Sequence, residues 1–478
     1  MKTVFAFTKY EKLLILIFAL TLLLSNPWVR GDGVGYYAFV RSLLIEHRLD
    51  FTKDWSRANE SFRLGRTDPS GQVLRQEYTS TGHLNNHFSV GPAILWSPFL
   101  VTADLGVLAF DKLGGHIPRD GYSRPYLTAM AFGTAVYGFL ALFISFRLAR
   151  DYVPEEWAFL AALGIWFGSS LPVYMYFNTS WAHAHSAFAV ALFVWYWART
   201  RNARGWKQNL VLGAIGGLMV DVYYLNAVVL LLAPLELITR YWEKKAEERS
   251  VGPLIAGNIL IATAAFTVFV PTLIAKKILY GSFFNLGYTE RWFWRSPALL
   301  KACFSADHGL FSWTPILILA LAGLVLLYKH DPEFAIYSVV VFAVYLYAVG
   351  CYQDWDGLSS FGGRFFVSLT VFFVAGLAAF FESVANVWRR RSAAILVTSA
   401  TAALVLWNLG LIFQWGTHLI PARGPISWRA AAHNQIAVVP VVAVSTLRVY
   451  FTHRGKLMDE IEQQDVRQIK SGSPAGVE

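Results

Sequence analysis

The sequence predicts an all-α fold, a polytopic transmembrane helical bundle of about 12–13 spans with surface helices in its first outer loop. The first observation is composition: 55% of the 478 residues are hydrophobic and 15% are charged, against roughly 25% charged in a soluble domain. The second is size, because a single soluble core stops growing near ~250–300 residues. The third is that apolar runs approaching the length a bilayer requires, about 20 residues, recur along the chain.

The first predicted element is a membrane span near the N-terminus. Lys9 and Lys12 precede the apolar run Leu13–Leu24. Ser25-Asn26-Pro27-Trp28 follows, in place of the small-x-small pattern that marks a cleavage site. We therefore expect this segment to remain in the protein as an uncleaved span.

The second element is the polar stretch Arg30–His87, which exceeds the usual length of a connector. Within it, Tyr36–Leu49 mixes apolar and polar residues at helical spacing, which predicts a helix lying at the membrane surface. The next apolar run, Phe88–Phe110, is interrupted by Gly91-Pro92 and by a further proline. Broken helices are tolerated at membrane depth where protein buries them, so we expect this run to be re-entrant or to lie at the surface.

The remaining spans are predicted by further apolar runs, which are Pro125–Phe146, Trp157–Phe177, Ser186–Trp197, Leu210–Val220, Tyr223–Ile238, Leu254–Ala275, Leu310–Leu327, Phe334–Cys351, Phe365–Phe381, Ala393–Phe413 and Ile436–Val449. Four links between runs are basic: Arg199 to Lys207, Arg240 to Arg249, Lys329, and Arg389-Arg390-Arg391. The positive-inside rule places them in the cytoplasm. It favours twelve spans with both termini cytoplasmic and leaves a thirteenth span open.

The net charge of +10 follows from these basic links, so it does not indicate a nucleic acid partner. We expect residues 1–451 to form the transmembrane domain, with part of the active site in the outer loop 30–87. The charged segment 452–478 predicts a disordered cytoplasmic tail. Two cysteines, Cys303 and Cys351, are too few for a zinc site or a disulfide framework.

Asp32 is the first candidate for chemistry. It lies between Gly31 and Gly33 directly after the first span, at the membrane boundary where a lipid headgroup would lie. Two glycines allow the backbone to turn tightly beside the carboxylate. The structural alternative is that Asp32 caps a helix that begins near Val34, which is a common use of aspartate.

Four segments of the chain resemble the GT-C superfamily of membrane glycosyltransferases. They are Gly31-Asp32-Gly33-Val34-Gly35-Tyr36-Tyr37, His87-Phe88-Ser89-Val90-Gly91-Pro92-Ala93, Ser305-Ala306-Asp307-His308-Gly309-Leu310-Phe311-Ser312-Trp313-Thr314-Pro315 and Ser360-Phe361-Gly362-Gly363-Arg364-Phe365. An acid just after the first span and a long first outer loop are similar as well. The resemblance implies an integral protein of the inner or plasma membrane whose active site faces the outside or the periplasm.

The resemblance implies an inverting glycosyltransferase that moves a sugar from a polyprenyl-phosphate donor to a glycan, lipid or protein acceptor. Membrane lipid surrounds such an enzyme. The general base, which takes the proton of the acceptor hydroxyl, is carried over to Asp32. A divalent metal is compatible with the resemblance, but Gly31 and Gly33 stand where a second adjacent acid would be. The motif therefore leaves metal dependence open.

The departing lipid phosphate needs a cation, and arginine offers a planar pair of donors to it. Arg364 stands directly before a span and is the first candidate, and Arg291 is the second. The alternative for each is an interfacial arginine that anchors a helix end.

Other outer-loop residues are candidates for substrate binding, and these are His87, Asp307, His308, Asp354, Trp355 and Asp356. Carboxylates accept hydrogen bonds from sugar hydroxyls, and an indole face packs on sugar C–H groups. The alternative is a solvated turn beside an aromatic belt. His183 and His185 are two residues apart, so they do not share a helix face, and a zinc pair on a helix is not predicted.

Two other function classes compete with the glycosyltransferase. A transporter or flippase of a lipid-linked or small polar substrate would show inverted repeats and ionisable residues at mid-membrane. No internal repeat is visible, and the acids cluster in loops. A polymerase or ligase of surface polysaccharide would show a large late outer loop, whereas the longest loop here is the first.

Overall fold

The structure is a computed structural model that describes residues 7–247, 250–387 and 390–471. It is built of helices. The predicted basic links include Arg249 and Arg389, which lie outside these ranges. The α-helices of the described ranges are α1 (Lys9–Thr21), α2 (Asp32–Arg41), α3 (Thr52–Arg57), α4 (Glu60–Arg63), α5 (Gly91–Lys112), α6 (Arg124–Ala149), α7 (Glu155–Gly168), α8 (His183–Thr200), α9 (Trp206–Val222), α10 (Leu232–Ala246), α11 (Gly252–Tyr280), α12 (Leu299–Phe304), α13 (Leu310–Trp313), α14 (Ile316–Leu326), α15 (Pro332–Cys351), α16 (Thr370–Val387), α17 (Arg390–Gly416), α18 (Trp428–His433), α19 (Val439–Thr452) and α20 (Arg454–Ser471).

The predicted all-α, polytopic bundle is confirmed. Within the described ranges, eight helical segments are long and apolar enough to cross a membrane. Short 3-10 turns lengthen two of them at their N-terminal ends, Tyr224–Leu231 before α10 and Arg364–Leu369 before α16. The first outer loop contains α2, α3 and α4, so its predicted surface helices are confirmed, with the first one starting at Asp32.

Ion pairs join two of the predicted basic links, those of Arg201 and Arg240, on one side of the bundle, which we call the basic face. Arg240 and Arg201 both pair with Glu333, at 2.8 and 3.4 Å. Arg147, at the end of α6, pairs with Glu11 at the start of α1 at 2.7 Å. The opposite side carries residues 30–87, and we call it the loop face. The N-terminal end of α1 therefore lies on the basic face.

Glycines allow the central helices to approach closely. A Cβ at Gly213 or Gly217 of α9 would lie 2.3 Å from a backbone carbonyl oxygen of α11. A Cβ at Gly323 of α14 would lie 1.7 Å from the carbonyl oxygen of Gly376 in α16. Small residues spaced in this way favour helix association in lipid, where van der Waals packing replaces the hydrophobic effect.

The chain segments on both sides of helix α5 contact α2. Before α5, Asn86 donates to the carbonyl of Gly35 at 2.9 Å, and after it, Tyr37 donates to the carbonyl of Gly121. Helix α5 itself packs along α6, where Tyr126 donates to Asp104 at 2.6 Å. The re-entrant or surface-lying course expected for 88–110 stays a prediction.

The last apolar segment, Trp428–Thr452, starts and ends on the loop face. Gln414, near the end of α17, donates to the carbonyl of Ala431 in α18 at 3.1 Å. Tyr450 in α19 donates to the carbonyl of Leu24 at the outer end of α1 at 2.6 Å. The predicted span Ile436–Val449 therefore does not cross. Apolar composition alone does not separate a crossing helix from one that lies against the bundle.

The C-terminal segment lies on the loop face too, which corrects two predictions. Residues 454–471 form α20, and Arg454 donates to the carbonyl of Ser25 at 2.6 Å. The expected disordered, cytoplasmic tail 452–478 is thus wrong for residues 452–471, and residues 472–478 lie outside the described ranges. The start of α1 and residues 454–471 lie on opposite sides, which disagrees with the expectation that both ends of the chain share a side. The charges of α20 alternate with apolar residues at helical spacing, a pattern that composition did not reveal.

Candidate active site

A cavity of about 740 Å³ opens at the loop face, within the usual range for ligand sites. Its walls are of two kinds. Polar side chains come from the first outer loop and from the loops after α11 and α15, and they include Asp32, His87, Glu290 and Arg364. Apolar side chains come from the outer ends of α1 and α7 and from α17, α19 and α20, and they include Phe167, Phe177, Leu409, Phe413 and Leu447.

The two glycines beside Asp32 are required by close packing. Gly31 has a φ of +52°, and a Cβ there would lie 2.9 Å from the ring of Trp181. A Cβ at Gly33 would lie 1.9 Å from the hydroxyl of Ser180. The start of α2 is thus pressed against the segment that precedes α8. This contact directs the Asp32 side chain into the cavity.

The helix-capping alternative for Asp32 is not realised. Asp32 is the first residue of α2, and the capping position belongs to Gly31, with no side-chain capping hydrogen bond. The carboxylate instead accepts a hydrogen bond from Arg364 Nη1 at 2.7 Å. The side chain is 35% exposed, so one face of the carboxylate remains open to the cavity.

Arg364 is held rigidly but incompletely satisfied. Its guanidinium lies 4.7 Å from the ring of Trp181 and 5.3 Å from that of Phe365. Only 12% of its side chain is exposed, and its buried Nε has no hydrogen-bond partner among the described residues. A buried polar group without a partner carries an energetic cost. Arg364 can therefore offer further donors to an anion.

His87 and Glu290 complete the polar wall. The His87 ring packs on Phe88 and Tyr288, at 4.1 and 4.7 Å between ring centroids. Burial lowers the pKa of His87 to about 4, against the opposing charges of Asp32 and Glu290. The imidazole is neutral at pH 7. It can accept or donate a hydrogen bond to a substrate hydroxyl without adding charge.

A buried lysine holds the backbone on both sides of His87. Lys276 Nζ donates to the carbonyl oxygens of Asn86 and Phe88, at 2.9 and 2.8 Å, and its side chain is fully buried. The backbone on both sides of His87 is thus held against α11.

Several predicted substrate-binding residues lie beside the cavity rather than in its wall. Asp354, Trp355, Asp356, Asp307 and His308 do not line it. Burial raises the pKa of Asp307 to about 6, with a further contribution from the charge of Asp356. Burial lowers the pKa of His308 to about 3, and the charge of Arg364 acts in the same direction.

Arg291 is not part of the cavity wall. Its side chain is exposed, and its backbone N–H donates to Gln353 at 3.2 Å. The neighbouring Glu290 lines the cavity instead. Arg291 and Glu290 point differently because the loop is extended here, so adjacent side chains face opposite ways.

A divalent metal, which the sequence left open, remains possible, but the described residues form no cluster of ligands for it. His183 and His185 are buried among aromatic rings, with Tyr174 at 4.6 Å and Trp96 at 4.7 Å. Within the described part of the chain, no group of three or more His, Cys, Asp or Glu residues is placed to hold a metal. Asp32 is already engaged by Arg364 and has no second carboxylate beside it. Cys303 and Cys351 are unpaired and buried.

Sequence reasoning missed charged residues that line the cavity, namely Arg30, Arg66, His418, Arg423 and Asp465. The position of Arg30, six residues after the end of the first span, was a signal that could have identified it. The helical spacing of apolar residues in 454–471 could have predicted the helix that carries Asp465, but not its contact with Arg30, which is 435 positions away.

No protein-family model matches the sequence, and no curated protein sequence is significantly similar to it. Several solved structures match the chain, and they include the following three. ArnT from Cupriavidus metallidurans, bound to undecaprenyl phosphate, is 13% identical with a TM-score of 0.46, over 97% of this chain and 78% of that one. The oligosaccharyltransferase of Archaeoglobus fulgidus in complex with Zn and sulfate is 12% identical with a TM-score of 0.46, over 85% and 55%.

The third is the oligosaccharyltransferase AglB from Archaeoglobus fulgidus, in complex with an inhibitory peptide and a dolichol-phosphate. It is 13% identical with a TM-score of 0.47, over 95% of this chain and 56% of that one. The chain thus spans little more than half the length of both oligosaccharyltransferases.

Proposed function

We propose that this protein is an inverting membrane glycosyltransferase that moves a sugar from a polyprenyl-phosphate donor to an acceptor hydroxyl at the loop face. The observation that carries the proposal is the cavity, in which Asp32 and Arg364 meet at 2.7 Å beside walls of apolar side chains. A lipid-linked sugar phosphate has the same two halves. Its polar headgroup would contact the polar side chains of the cavity, and its hydrocarbon chain would contact the apolar ones.

The apolar wall has the right surroundings for a lipid chain. The outward side of α19 is exposed and apolar, with Val441 and Val444 at 75% and 76% exposure, and Leu447 of the same helix lines the cavity. A hydrocarbon chain can pass from the bilayer along α19 into the cavity without contacting water. The donor would therefore enter from the side, and the acceptor from the loop face.

In the proposed reaction the acceptor hydroxyl oxygen attacks the anomeric carbon of the sugar. The bond between that carbon and the phosphate oxygen breaks, and the lipid phosphate leaves with the electron pair. Asp32 accepts the proton of the hydroxyl. Attack from the side opposite the phosphate inverts the configuration at the anomeric carbon.

Arg364 has two roles in this scheme. Its hydrogen bond holds the Asp32 side chain in place, and its spare donors bind the departing phosphate. Arginine suits both because its planar guanidinium bonds two oxygens at once and stays charged. His87, neutral and beside Asp32, would orient a sugar or acceptor hydroxyl.

The test uses purified protein in liposomes, with a panel of polyprenyl-monophosphate sugars as donors and a panel of hydroxyl-bearing glycans, lipids and peptides as acceptors. It measures the glycosylated acceptor and the polyprenyl monophosphate that is released. Asp32→Asn keeps the shape of the side chain but does not accept a proton, so turnover should fall about 10²–10⁴-fold. Binding of polyprenyl monophosphate should persist.

The matched control is Asp50→Asn, in the same outer loop but outside the cavity wall. It should leave turnover unchanged. Near-wild-type turnover of Asp32→Asn would contradict the general-base role. Specific binding of the lipid without any sugar transfer by the wild type would favour the alternative hypothesis of a transporter or flippase.

A further inference from the structure

Helix α20 closes the cavity on the loop face. The side chains that it presents to the cavity form one stripe along the helix, Leu457, Met458, Ile461, Asp465, Gln468 and Ile469. Their spacing is that of one helical face. The other side of α20 carries charge and faces water. The helix is therefore a wall with an apolar inner surface, added to the bundle from outside.

Polar contacts at loops and helix ends hold α20 in place. Glu462 accepts hydrogen bonds from Asn59 at 2.8 Å and from the backbone N–H of Ser61 at 2.6 Å. Gln468 accepts from the backbone N–H of Ala422 at 3.3 Å. Contacts of this kind exchange readily with water, unlike the glycine-mediated crossings of the central helices. Such a segment belongs to the part of a protein that opens locally at low cost.

Asp465 is the innermost polar contact of α20. It forms an ion pair with Arg30 and accepts a hydrogen bond from His418 at 3.0 Å, and its residue is 7% exposed. Burial raises the pKa of this carboxyl group, but the charge of Arg30 and the hydrogen bond from His418 outweigh it and hold the pKa below its usual range. Asp465 is thus an anion placed on a cationic side chain that itself lines the cavity.

We infer that α20 is a lid whose Asp465 carboxylate occupies, in the free protein, an anion site at Arg30 that a phosphate group of the substrate takes on binding. The inference rests on the proposed function, because it assigns the phosphate to a polyprenyl-linked molecule. Binding of the phosphate at Arg30 releases Asp465. The remaining contacts of α20 then no longer suffice to keep it closed, and the cavity opens toward the acceptor side.

The experiment is amide hydrogen exchange of residues 454–471 in the full chain, with polyprenyl monophosphate as the probe. In the wild type the lipid should speed exchange of α20 about tenfold or more. In Asp465→Asn, exchange should already be fast without lipid, and the lipid should add little. The same variant should bind polyprenyl monophosphate about tenfold more tightly, because the internal competitor has lost its charge.

Lys470→Gln is the matched control on the same helix. Its pair with Glu60 is exposed, with 58% and 53% of the side chains accessible, so exchange of α20 should change less than about twofold. Inorganic phosphate at the same concentration lacks the apolar contacts and should leave exchange unchanged. Faster exchange with inorganic phosphate alone would show that Arg30 binds free phosphate. That result would contradict the assignment of this site to a lipid-linked phosphate.

Binding of the lipid with unchanged or slower exchange of α20 would overturn the lid, leaving the proposed function intact. Failure of the wild type to bind the lipid would contradict the proposed function, and the lid with it. The two failures are therefore distinguishable by measuring binding and exchange on the same sample.

Discussion

Two arginine–aspartate pairs on the loop face share the same chemistry but differ in how completely their hydrogen bonds are made. In the outer loop, Arg41 donates to both oxygens of Asp54 and to Glu46, and Tyr122 donates to Asp54. The two partners are 1% and 0% exposed. In the cavity, Arg364 makes one hydrogen bond to Asp32, which is 35% exposed.

The difference separates a pair whose hydrogen bonds are satisfied within the protein from one that has hydrogen-bonding capacity left. A buried ion pair is tolerated only when its hydrogen bonds are nearly all satisfied, and the Arg41 pair meets that condition. The Arg364 pair leaves a buried Nε without a partner among the described residues and one side of the carboxylate open. Unused hydrogen-bonding capacity at the wall of a cavity is what a ligand can use.

The largest expected effect is on stability, at the satisfied pair. Arg41→Met leaves the carboxylate of Asp54 buried without its cation, so the free energy of unfolding should fall by about 3–5 kcal/mol. Chemical unfolding in detergent measures it. Arg364→Met is the control and should cost less than about 1 kcal/mol, because Asp32 can be solvated. Equal losses of unfolding free energy in both variants would show that the two pairs do not differ in their contribution to stability.

The next effect is on ligand affinity, at the unsatisfied pair. Arg364→Lys keeps the positive charge but loses the planar fork. Affinity for polyprenyl monophosphate should fall about 10–100-fold, the range of one or two charge-assisted hydrogen bonds. Equilibrium binding in nanodiscs measures it. Unchanged affinity would mean that Arg364 supports Asp32 alone.

The third effect is a pH dependence of the free energy of unfolding, and it is caused by His87 in the cavity wall. Burial lowers the pKa of His87 to about 4, so between roughly pH 6.5 and 4 the unfolded chain binds a proton that the folded chain does not. The free energy of unfolding therefore falls as the pH falls through this window. His87→Gln should remove about 1–2 kcal/mol of that dependence, after allowance for partial exposure of the ring.

The measurement compares unfolding of the wild type and His87→Gln at several pH values. The difference between the two isolates His87 from Asp307, whose pKa is raised to about 6, mainly by burial. Asp307 has the opposite effect, because its folded form binds the extra proton. Parallel pH profiles for the two proteins would show that His87 is not the group responsible.

The smallest effect is expected at a third, exposed pair. Arg57 pairs with Asp120 at 2.6 Å, with 49% and 28% of their side chains exposed. Arg57→Gln should change the free energy of unfolding by less than about 1 kcal/mol and leave lipid binding unchanged. A loss comparable to that of Arg41→Met would show that burial is not what separates the pairs.

Local patterns in the sequence were enough to predict the helical class, the surface helices of the first outer loop and the candidates Asp32 and Arg364. Each depends on residues close together in the chain: the length of an apolar run, helical spacing, or an acid next to the end of a span. The resemblance to the GT-C superfamily added the roles of these residues, which remain proposals.

The tertiary structure decided what depends on distant partners. Asp32 and Arg364 are 332 positions apart, and nothing local in the sequence records their contact. Composition and length make α5 and the segment Trp428–Thr452 candidates to cross a membrane, but only the fold shows what their ends contact. The segments around α5 meet α2, and Tyr450 meets Leu24. The position of α20 follows from Arg30 and Asn59, far away in the chain. The physical reason is that hydrophobicity and helical periodicity are local properties, whereas ion pairs and close helix packing form only where the fold brings residues together.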